Sequence, residues 1–279
     1  MTGTPYAEVI GDPIAHSKSP LIHKFWLEKL GIEADYRRTR VTAGELAAFI
    51  AGRRSDPAWR GCNVTMPLKQ TILAQIDEVD GRGAEIGAVN AIHLHDRRLV
   101  GTNTDVLGIL DVLPAEHVAP GAKLEVCIIG AGGAARAVLA ACRERPVPLV
   151  LFNVRDPDKA WPLLHEWRFG GSVGTVDNEH NLTTANIVVN ASPLGMRGQA
   201  PMPEAVLRAI ETAAPSLVVF DMVYDPHETD LLAAARRSGH RTVDGLALLI
   251  AQARHAFSLF YGVPPPPGCD GELRELLTR

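Results

Sequence analysis

The stretch Val126-Cys127-Ile128-Ile129-Gly130-Ala131-Gly132-Gly133-Ala134-Ala135-Arg136-Ala137-Val138-Leu139 decides the fold. An apolar strand pattern runs through glycines directly into a helical one. A strand followed by G-x-G-x-x-A and a helix is a dinucleotide-binding fingerprint: the first glycine makes the tight turn, and the second lets a pyrophosphate approach the backbone. The helix N-terminus then offers unpaired N–H groups and a favourable dipole to the phosphates. A tight strand-to-helix turn needs glycine in any case, so the motif alone is a weak signal.

Working outward, the residues after the fingerprint alternate between apolar runs and helical periodicity. Strands are expected at Leu124 to Ile129, Leu149 to Asn153, Ile187 to Asn190 and Leu217 to Asp221. Helices are expected near Ala134 to Arg143, Asp158 to Trp167, Pro203 to Ile210 and Thr229 to Ser238. Near-continuous apolar strands separated by helices predict a parallel sheet covered on both faces, a Rossmann-type domain.

About 125 residues precede the fingerprint, enough for a domain of their own. Tyr6 to Ile10, Ala34 to Arg40 and Gly61 to Val64 read as strands, and Pro20 to Leu30 and Glu45 to Gly52 as helices. Ala91 to Leu94 and Leu99 to Gly101 read as a hairpin around Asp96-Arg97-Arg98. Leu246 to Phe260 is one apolar-faced helix, expected to leave the dinucleotide domain and pack on the first one. Pro264 to Pro267 cannot continue it. The expected organisation is therefore two α/β domains: 1–104 completed by 245–279, and a Rossmann-type domain over 105–244.

The 279 residues are 46% hydrophobic and 22% charged, with a net charge of −4, which gives no basic field for nucleic acid. No apolar run approaches the ~18 residues of a membrane span. Met1 to Val9 lacks the regions of a signal peptide, so a cytoplasmic location is expected. Cys62, Cys127, Cys142 and Cys269 are scattered, with no disulfide or metal-ligand spacing; Cys127 and Cys142 read as small core residues. None of the histidines forms a ligand pair with a supporting carboxylate, and His16, His23 and His255 read as packed or solvated groups. No metal is expected.

Polar residues gather at the ends of the N-terminal elements. In Ser17-Lys18-Ser19-Pro20, Ser19 before Pro20 reads as an N-cap with an N1 proline. Ser17 is not explained that way, and two hydroxyls beside a helix N-terminus suit a carboxylate. In Asn63-Val64-Thr65-Met66-Pro67-Leu68-Lys69, a helix starting at Pro67 would put Lys69 in its first turn, against the dipole. Asp105, in Gly101-Thr102-Asn103-Thr104-Asp105, opens the next helix, where a plain N-cap and a functional carboxylate are equally good readings.

Those segments, with Gly87-Ala88-Val89-Asn90, Gly130 to Arg136, Asn190 to Met196, Asp221 to Pro226 and Asp244 to Gln252, make eight ordered blocks. In that order and spacing the chain resembles shikimate dehydrogenases, over about 250 residues. The resemblance implies NADPH-linked, reversible reduction of 3-dehydroshikimate to shikimate, in chorismate and aromatic amino acid biosynthesis. It implies Lys69 and Asp105 as the catalytic pair. Ser17 and Ser19 would hold the substrate carboxylate with Tyr224 near it, and Thr65, Asn90 and Gln252, alongside the pair, would meet the ring hydroxyls. Cofactor contacts would come from Gly130, Ala131, Gly132, Gly133, Ala134, Asn153, Arg155, Lys159, Met222 and Gly245. A lysine held by a carboxylate suits the chemistry, because carbonyl reduction needs a proton at the developing alkoxide, while the cofactor carries the hydride.

At three places the chain departs from the family. Asn153-Val154-Arg155-Asp156 stands where Asn-Arg-Thr is common, which moves the arginine expected at the 2′-phosphate of NADP by one residue. NADP on Arg155 is favoured; with Asn153 in place of a strand-end acid, NAD is the alternative. Ala91 and Leu248 replace the family's threonine and methionine beside the polar contacts. A quinate/shikimate dehydrogenase using NAD and a non-catalytic NADP-binding regulator are the rival readings. The expected partner is a small-molecule substrate, with no nucleic acid or membrane, in a monomer or homodimer.

Overall fold

The computed structural model describes residues 3–113, 124–145 and 147–279. The chain divides into two units, Met1–Gly108 with Ile250–Arg279 and Ile109–Leu249.

The first unit contains β1 (Tyr6–Gly11), α1 (Ser19–Leu30), β2 (Asp35–Arg40), α2 (Leu46–Arg54), β3 (Trp59–Val64), β4 (Glu78–Val79), α3 (Gly81–Ile86), β5 (Ala91–His95) and β6 (Arg98–Thr102). Its six-stranded sheet has the order β2-β1-β3-β5-β6-β4. β1, β2 and β3 are parallel, and β5 runs antiparallel to both neighbours. The hairpin between β5 and β6 turns at Asp96 and Arg97, whose φ values of 47° and 65° suit the strand twist.

Register places the site. Ile10 pairs with Val64, Asn63 with Ala91, and Ala91 with Thr102. The C-terminal ends of β1, β3 and β6 and the start of β5 therefore lie at one end of the sheet. Ser17, Thr65, Lys69, Asn90 and Asp105 all belong to segments that leave or enter the sheet there.

β1 is buried on both faces, so its residues alternate between two cores. Tyr6 and Ile10 join Trp59, Cys62, Leu68, Ile72 and Ile92 on one side. Ala7 and Val9 join Tyr36, Ala91, Ala256 and Phe260 on the other. Ala256 and Phe260 come from the helix expected to return to this domain. Burial of a large apolar side chain contributes about 1.5–3 kcal/mol, so this helix segment is part of the first unit's core. Glu8, buried between its apolar neighbours, meets the Arg53 guanidinium at 2.6 Å and the Thr39 hydroxyl, which makes a buried carboxylate tolerable.

α4 (Thr104–Val112) begins in the first unit. The second unit follows with β7 (Glu125–Ile129), α5 (Gly133–Arg143), β8 (Leu149–Val154), α6 (Trp161–Trp167), β9 (Gly170–Thr175), α7 (Glu179–Thr184), β10 (Ile187–Asn190), α8 (Glu204–Thr212), β11 (Val218–Asp221), α9 (Asp230–Arg237) and β12 (Arg241–Val243). The sheet is parallel, in the order β12-β11-β10-β7-β8-β9. Strand order reverses between β7 and β10, the place where open α/β sheets bind ligands. Cys127 and Cys142 are buried in β7 and α5, as their apolar settings predicted. α10 (Gly245–Tyr261) leads back to the first unit, and α11 (Asp270–Thr278) closes the chain. No helix among the described residues is long and apolar enough to cross a membrane.

In the second unit sequence periodicity missed β9, β12 and α7. β9 reads Gly-Gly-Ser-Val-Gly-Thr, and three glycines erase the apolar alternation on which strand recognition depends. β12 and α7, of three and six residues, are too short for a period to show.

Candidate active site

In the first unit, Lys69 Nζ lies 2.6 Å from Asp105 Oδ2, an ion pair joining the loop after β3 to α4. The side chains are 33% and 20% exposed, so both groups are held yet open to a ligand. Lys69 does not lie in a helix. Residues 66–70 form a turn, and the next helical residues are a short 3-10 segment, Thr71–Gln75. The expectation of a helix from Pro67, and the dipole argument built on it, are corrected. The Lys69 carbonyl accepts from the Val89 N–H at 2.8 Å, while the Leu73 N–H goes to Gln70. A helical partner for that carbonyl is thus replaced by a tie to the Asn90 loop. Leu68 and Ile72 are fully buried and anchor the turn, which leaves Lys69 to project from it.

Asp105 stands in the first turn of α4, where a carboxylate is favoured. Its N–H donates to Asn103 Oδ1 at 3.1 Å, and Asn103 Nδ2 donates to the Ala88 carbonyl at 3.0 Å. Asn90 Oδ1 accepts from the Thr104 N–H at 2.7 Å and the Thr104 hydroxyl at 3.2 Å. Two asparagines therefore satisfy the helix N-terminus that carries Asp105. Asn90 Nδ2 has no partner among the described residues. Gln252 of α10 joins the cluster, its Oε1 accepting from the Thr104 hydroxyl at 3.3 Å.

Ser17 and Ser19 come together: the Ser17 hydroxyl donates to Ser19 Oγ at 3.3 Å, and the Ser19 N–H donates to Ser17 Oγ at 3.4 Å. Ser19 is not the N-cap of α1. It is the first helical residue, with Lys18 in the cap position and no side-chain cap bond. The Ser17–Ser19 turn occupies the hydroxyls that a cap would need. The Ser17 carbonyl is pinned by Arg38 Nε at 2.9 Å. Thr65 follows β3 beside Gly11: a methyl group built on Gly11 would stand 2.5 Å from Thr65 Cγ2 and 2.8 Å from the Met66 carbonyl oxygen. The close approach of these two loops requires glycine there.

In the second unit, Gly130, Ala131 and Gly132 line a pocket of about 350 Å³ with Asn153, Arg155 and Lys159 from the β8 side and Ala191, Ser192, Pro193 and Leu194 after β10. Gly130 has φ 109°, open to glycine and strained for other residues. Gly132 caps α5 with no side-chain bond, so the first N–H groups of that eleven-residue helix remain available to a ligand. Gly133 and Ala134 open the helix. Arg155 is exposed at the rim with no carboxylate partner among the described residues, whereas Lys159 pairs with Asp156 at 3.5 Å. Asn153 borders the pocket, but its carboxamide is engaged with the Val176 and Asn178 carbonyls and with Asn181. What it contributes there is shape.

Met222 and Gly245 are not part of that lining. They meet after β11, where Gly245 abuts the carbonyls of Met222 and Val223. Tyr224 belongs to the same segment of the second unit, half-buried, its phenol pushed above the ordinary range by burial. The other residues expected to hold substrate lie in the first unit. The sequence reading missed Asp221, which is fully buried at the end of β11. Burial lifts its carboxyl to about 6, against three donors that hold it down: Thr229, Val223 N–H and Asn190. A signal was available, since Asn190 and Asp221 are the polar last residues of two apolar strands. Among the described residues no group of three or more His, Cys, Asp or Glu is placed to hold a metal ion.

Comparison with known proteins bears on both sites. A family model described as the shikimate dehydrogenase substrate binding domain matches residues 9–92. A protein of Sphingopyxis alaskensis named shikimate dehydrogenase (NADP(+)) is 50% identical over 276 residues, 99% of this chain and 97% of that one. The crystal structure of shikimate 5-dehydrogenase from Thermus thermophilus, in complex with NADP(H) and shikimate, superposes with a TM-score of 0.84 at 33% identity, covering 98% of this chain and 99% of that one. The corresponding enzyme of Listeria monocytogenes, in complex with shikimate and NAD, gives 0.83 at 28% identity, covering 98% and 96%.

Proposed function

Because the chain belongs to the shikimate dehydrogenase family, we propose that Lys69 and Asp105 are the acid/base pair of a reaction divided between a substrate-binding first domain and a dinucleotide-binding second domain. The protein is an NADP-dependent oxidoreductase acting on a CH–OH group, a shikimate dehydrogenase. The observation that carries the residue assignment is the 2.6 Å contact between Lys69 Nζ and Asp105 Oδ2, at the sheet end where the other polar residues converge.

The residues at the glycine turn fit a dinucleotide. The open N-terminus of α5 suits a pyrophosphate, and the unpaired guanidinium of Arg155 suits a 2′-phosphate, with Lys159 as a second cation. When bound, NADPH supplies the hydride that reduces the carbonyl carbon. Lys69 then gives an Nζ proton to the carbonyl oxygen as charge develops on it, and draws another from solvent after product leaves. Asp105 keeps the amine oriented through the 2.6 Å ion pair. In the oxidative direction the neutral amine of Lys69 takes the hydroxyl proton.

Ser17 and Ser19 take the carboxylate of shikimate, while Thr65, Asn90 and Gln252 meet ring hydroxyls; Tyr224 keeps the substrate role, and Met222 and Gly245 the cofactor roles, that the family resemblance gives them. Shikimate and quinate, each offered with NADP⁺ and with NAD⁺, form the test. Cofactor reduction greatest with shikimate and NADP⁺ is expected, and a higher kcat/KM for quinate would move the substrate assignment.

A further inference from the structure

We propose that Asp221 is a positioning residue for the cofactor, acting through Asn190 on the wall of the pocket formed by Ser192, Pro193 and Leu194. This rests on reading the pocket at Gly130–Gly132 as the dinucleotide site. Asp221 and Asn190 are register partners at the C-terminal ends of adjacent parallel strands, and both side chains are fully buried. Burying a carboxylate costs free energy that packing alone does not require, since an apolar residue would fill the space.

The hydrogen bonds indicate what the carboxylate does. Asp221 accepts from Asn190 Nδ2 at 2.9 Å, from the Val223 N–H at 3.0 Å and from the Thr229 hydroxyl at 2.7 Å. An ionised carboxylate only accepts, so it dictates which end of the Asn190 carboxamide faces it. Nδ2 turns toward Asp221 and also donates to the Leu194 carbonyl at 3.0 Å. Oδ1 is thereby turned toward Ser192, accepting its N–H at 3.1 Å and its hydroxyl at 2.7 Å. The Ser192 oxygen in turn accepts the Leu194 N–H at 3.2 Å.

Two of the four residues Ala191 to Leu194 on this pocket wall, Ser192 and Leu194, are thus bonded in a chain that begins at a charge outside the pocket. The wall abuts the first fingerprint glycine, because a methyl group built on Gly130 would lie 3.0 Å from both the Ala191 carbonyl oxygen and Ser192 Cβ. Were the Asn190 amide reversed, its NH2 would face the Ser192 N–H, donor against donor, and the wall would move against the turn that receives the pyrophosphate. Thr229 ties the same carboxylate to α9, whose N-terminus it caps by accepting from the Leu232 N–H.

The experiment uses the full chain at pH 8 and reads the Kd of NADP⁺ by calorimetry, with KM for shikimate and thermal melting in parallel. Asn190→Asp sets two carboxylates where a 2.9 Å hydrogen bond stood, and should weaken NADP⁺ about tenfold or more. Asp221→Asn frees the amide to reverse and should weaken it severalfold. The reciprocal exchange, Asn190→Asp with Asp221→Asn, restores one amide facing one carboxylate and should recover most of the loss, while KM for shikimate stays within about twofold. If Asn190→Asp does not fold, the exchange variant compared with Asp221→Asn decides the same question. Melting temperatures that fall with an unchanged Kd, or an exchange variant no better than Asp221→Asn, would overturn the proposal. Gly132→Asp separates the two levels, because its side chain has open space and would bring a carboxylate to the helix N-terminus. If Gly132→Asp weakens NADP⁺ and the Asp221 and Asn190 variants do not, only the positioning role fails. An unaffected Kd in Gly132→Asp removes the pocket assignment, and the proposal with it.

Discussion

The end of the first sheet and the glycine turn of the second are built from different material. In the first unit the groups offered to a ligand are side chains delivered by five separate segments: the loop after β1, the turn after β3, the entry to β5, the start of α4 and α10. In the second, one turn leaves the backbone N–H groups at the start of α5 open beside a pocket, and its residues, Gly130 to Gly133, carry little or no side chain. A side-chain site depends on each residue for its chemistry and tolerates little exchange. A backbone site is indifferent to chemistry and sensitive to shape and charge, so substitutions in the two places should fail in different kinetic terms.

The largest expected effect tests the side-chain half. Lys69→Ala should lower kcat by about 10² to 10⁴, the usual contribution of a positioned acid or base, with much smaller changes in KM and melting temperature. The turn that carries Lys69 is anchored by Leu68 and Ile72, so removing the amine leaves its backbone in place. Near-normal kcat would transfer proton delivery to another group and dissolve the contrast.

Next in size is the rim of the backbone half. Arg155→Ala should weaken NADP⁺ by about 10- to 150-fold, the worth of one charge-assisted hydrogen bond of ~1.5 to 3 kcal/mol, and leave NAD⁺ nearly unchanged. Direct binding measurements with both nucleotides check it. Equal losses would mean that Arg155 points away from the 2′-phosphate, making Lys159 the next candidate despite its pairing with Asp156.

A smaller change is expected for the serines. Ser17→Ala should raise KM for shikimate severalfold with kcat little changed, because a carboxylate remote from the reacting carbon is bound about equally in ground and transition states. Ser19→Ala should behave alike without losing a helix cap, since Ser19 is not the capping residue of α1. Initial-rate kinetics and melting curves on both variants test this; a fall in kcat alone would contradict the assignment.

The smallest effects separate the units by pH. His23 is buried in the first unit, stacked on Tyr36 at 3.9 Å, with no partner for either ring nitrogen among the described residues, and burial pushes its pKa down to about 3. Unfolded His23 takes up a proton near 6.5 and folded His23 does not, so its stabilising share is full above 6.5 and is lost as pH falls toward 3. Asp221 in the second unit has the opposite sign. Its carboxyl is raised to about 6, the folded chain holds the proton longer, and stability falls as pH rises from about 4 to 6. The melting advantage of His23→Phe over the parent should therefore grow as pH drops from 6.5 to 4. That of Asp221→Asn should grow as pH climbs from 4 to 7. Each amounts to a few kcal/mol at most, and slopes of the reverse sign would contradict these burial assignments.

The same contrast explains how much could be read from the sequence. Gly130 and Gly132 are two residues apart, and the strand and helix around them are contiguous, so the dinucleotide turn was visible in one short window. Lys69 and Asp105 lie far apart in sequence and meet through sheet register, which no local pattern encodes. Their pairing came from the family resemblance, and the local argument for Lys69 named the wrong cause, because Val89 draws the Lys69 carbonyl out of any helix. Asp221 escaped notice for a related reason: its partner, Asn190, is next to it only across the sheet. β9 was hidden by its own glycines.

The most direct test of the central claim is a double-mutant cycle on kcat with Lys69→Ala, Asp105→Asn and both together. Two groups acting as one proton-transfer unit predict a double variant little worse than the poorer single one, far above the product of the separate losses. Losses that multiply would show that Lys69 and Asp105 work independently, and would contradict the account.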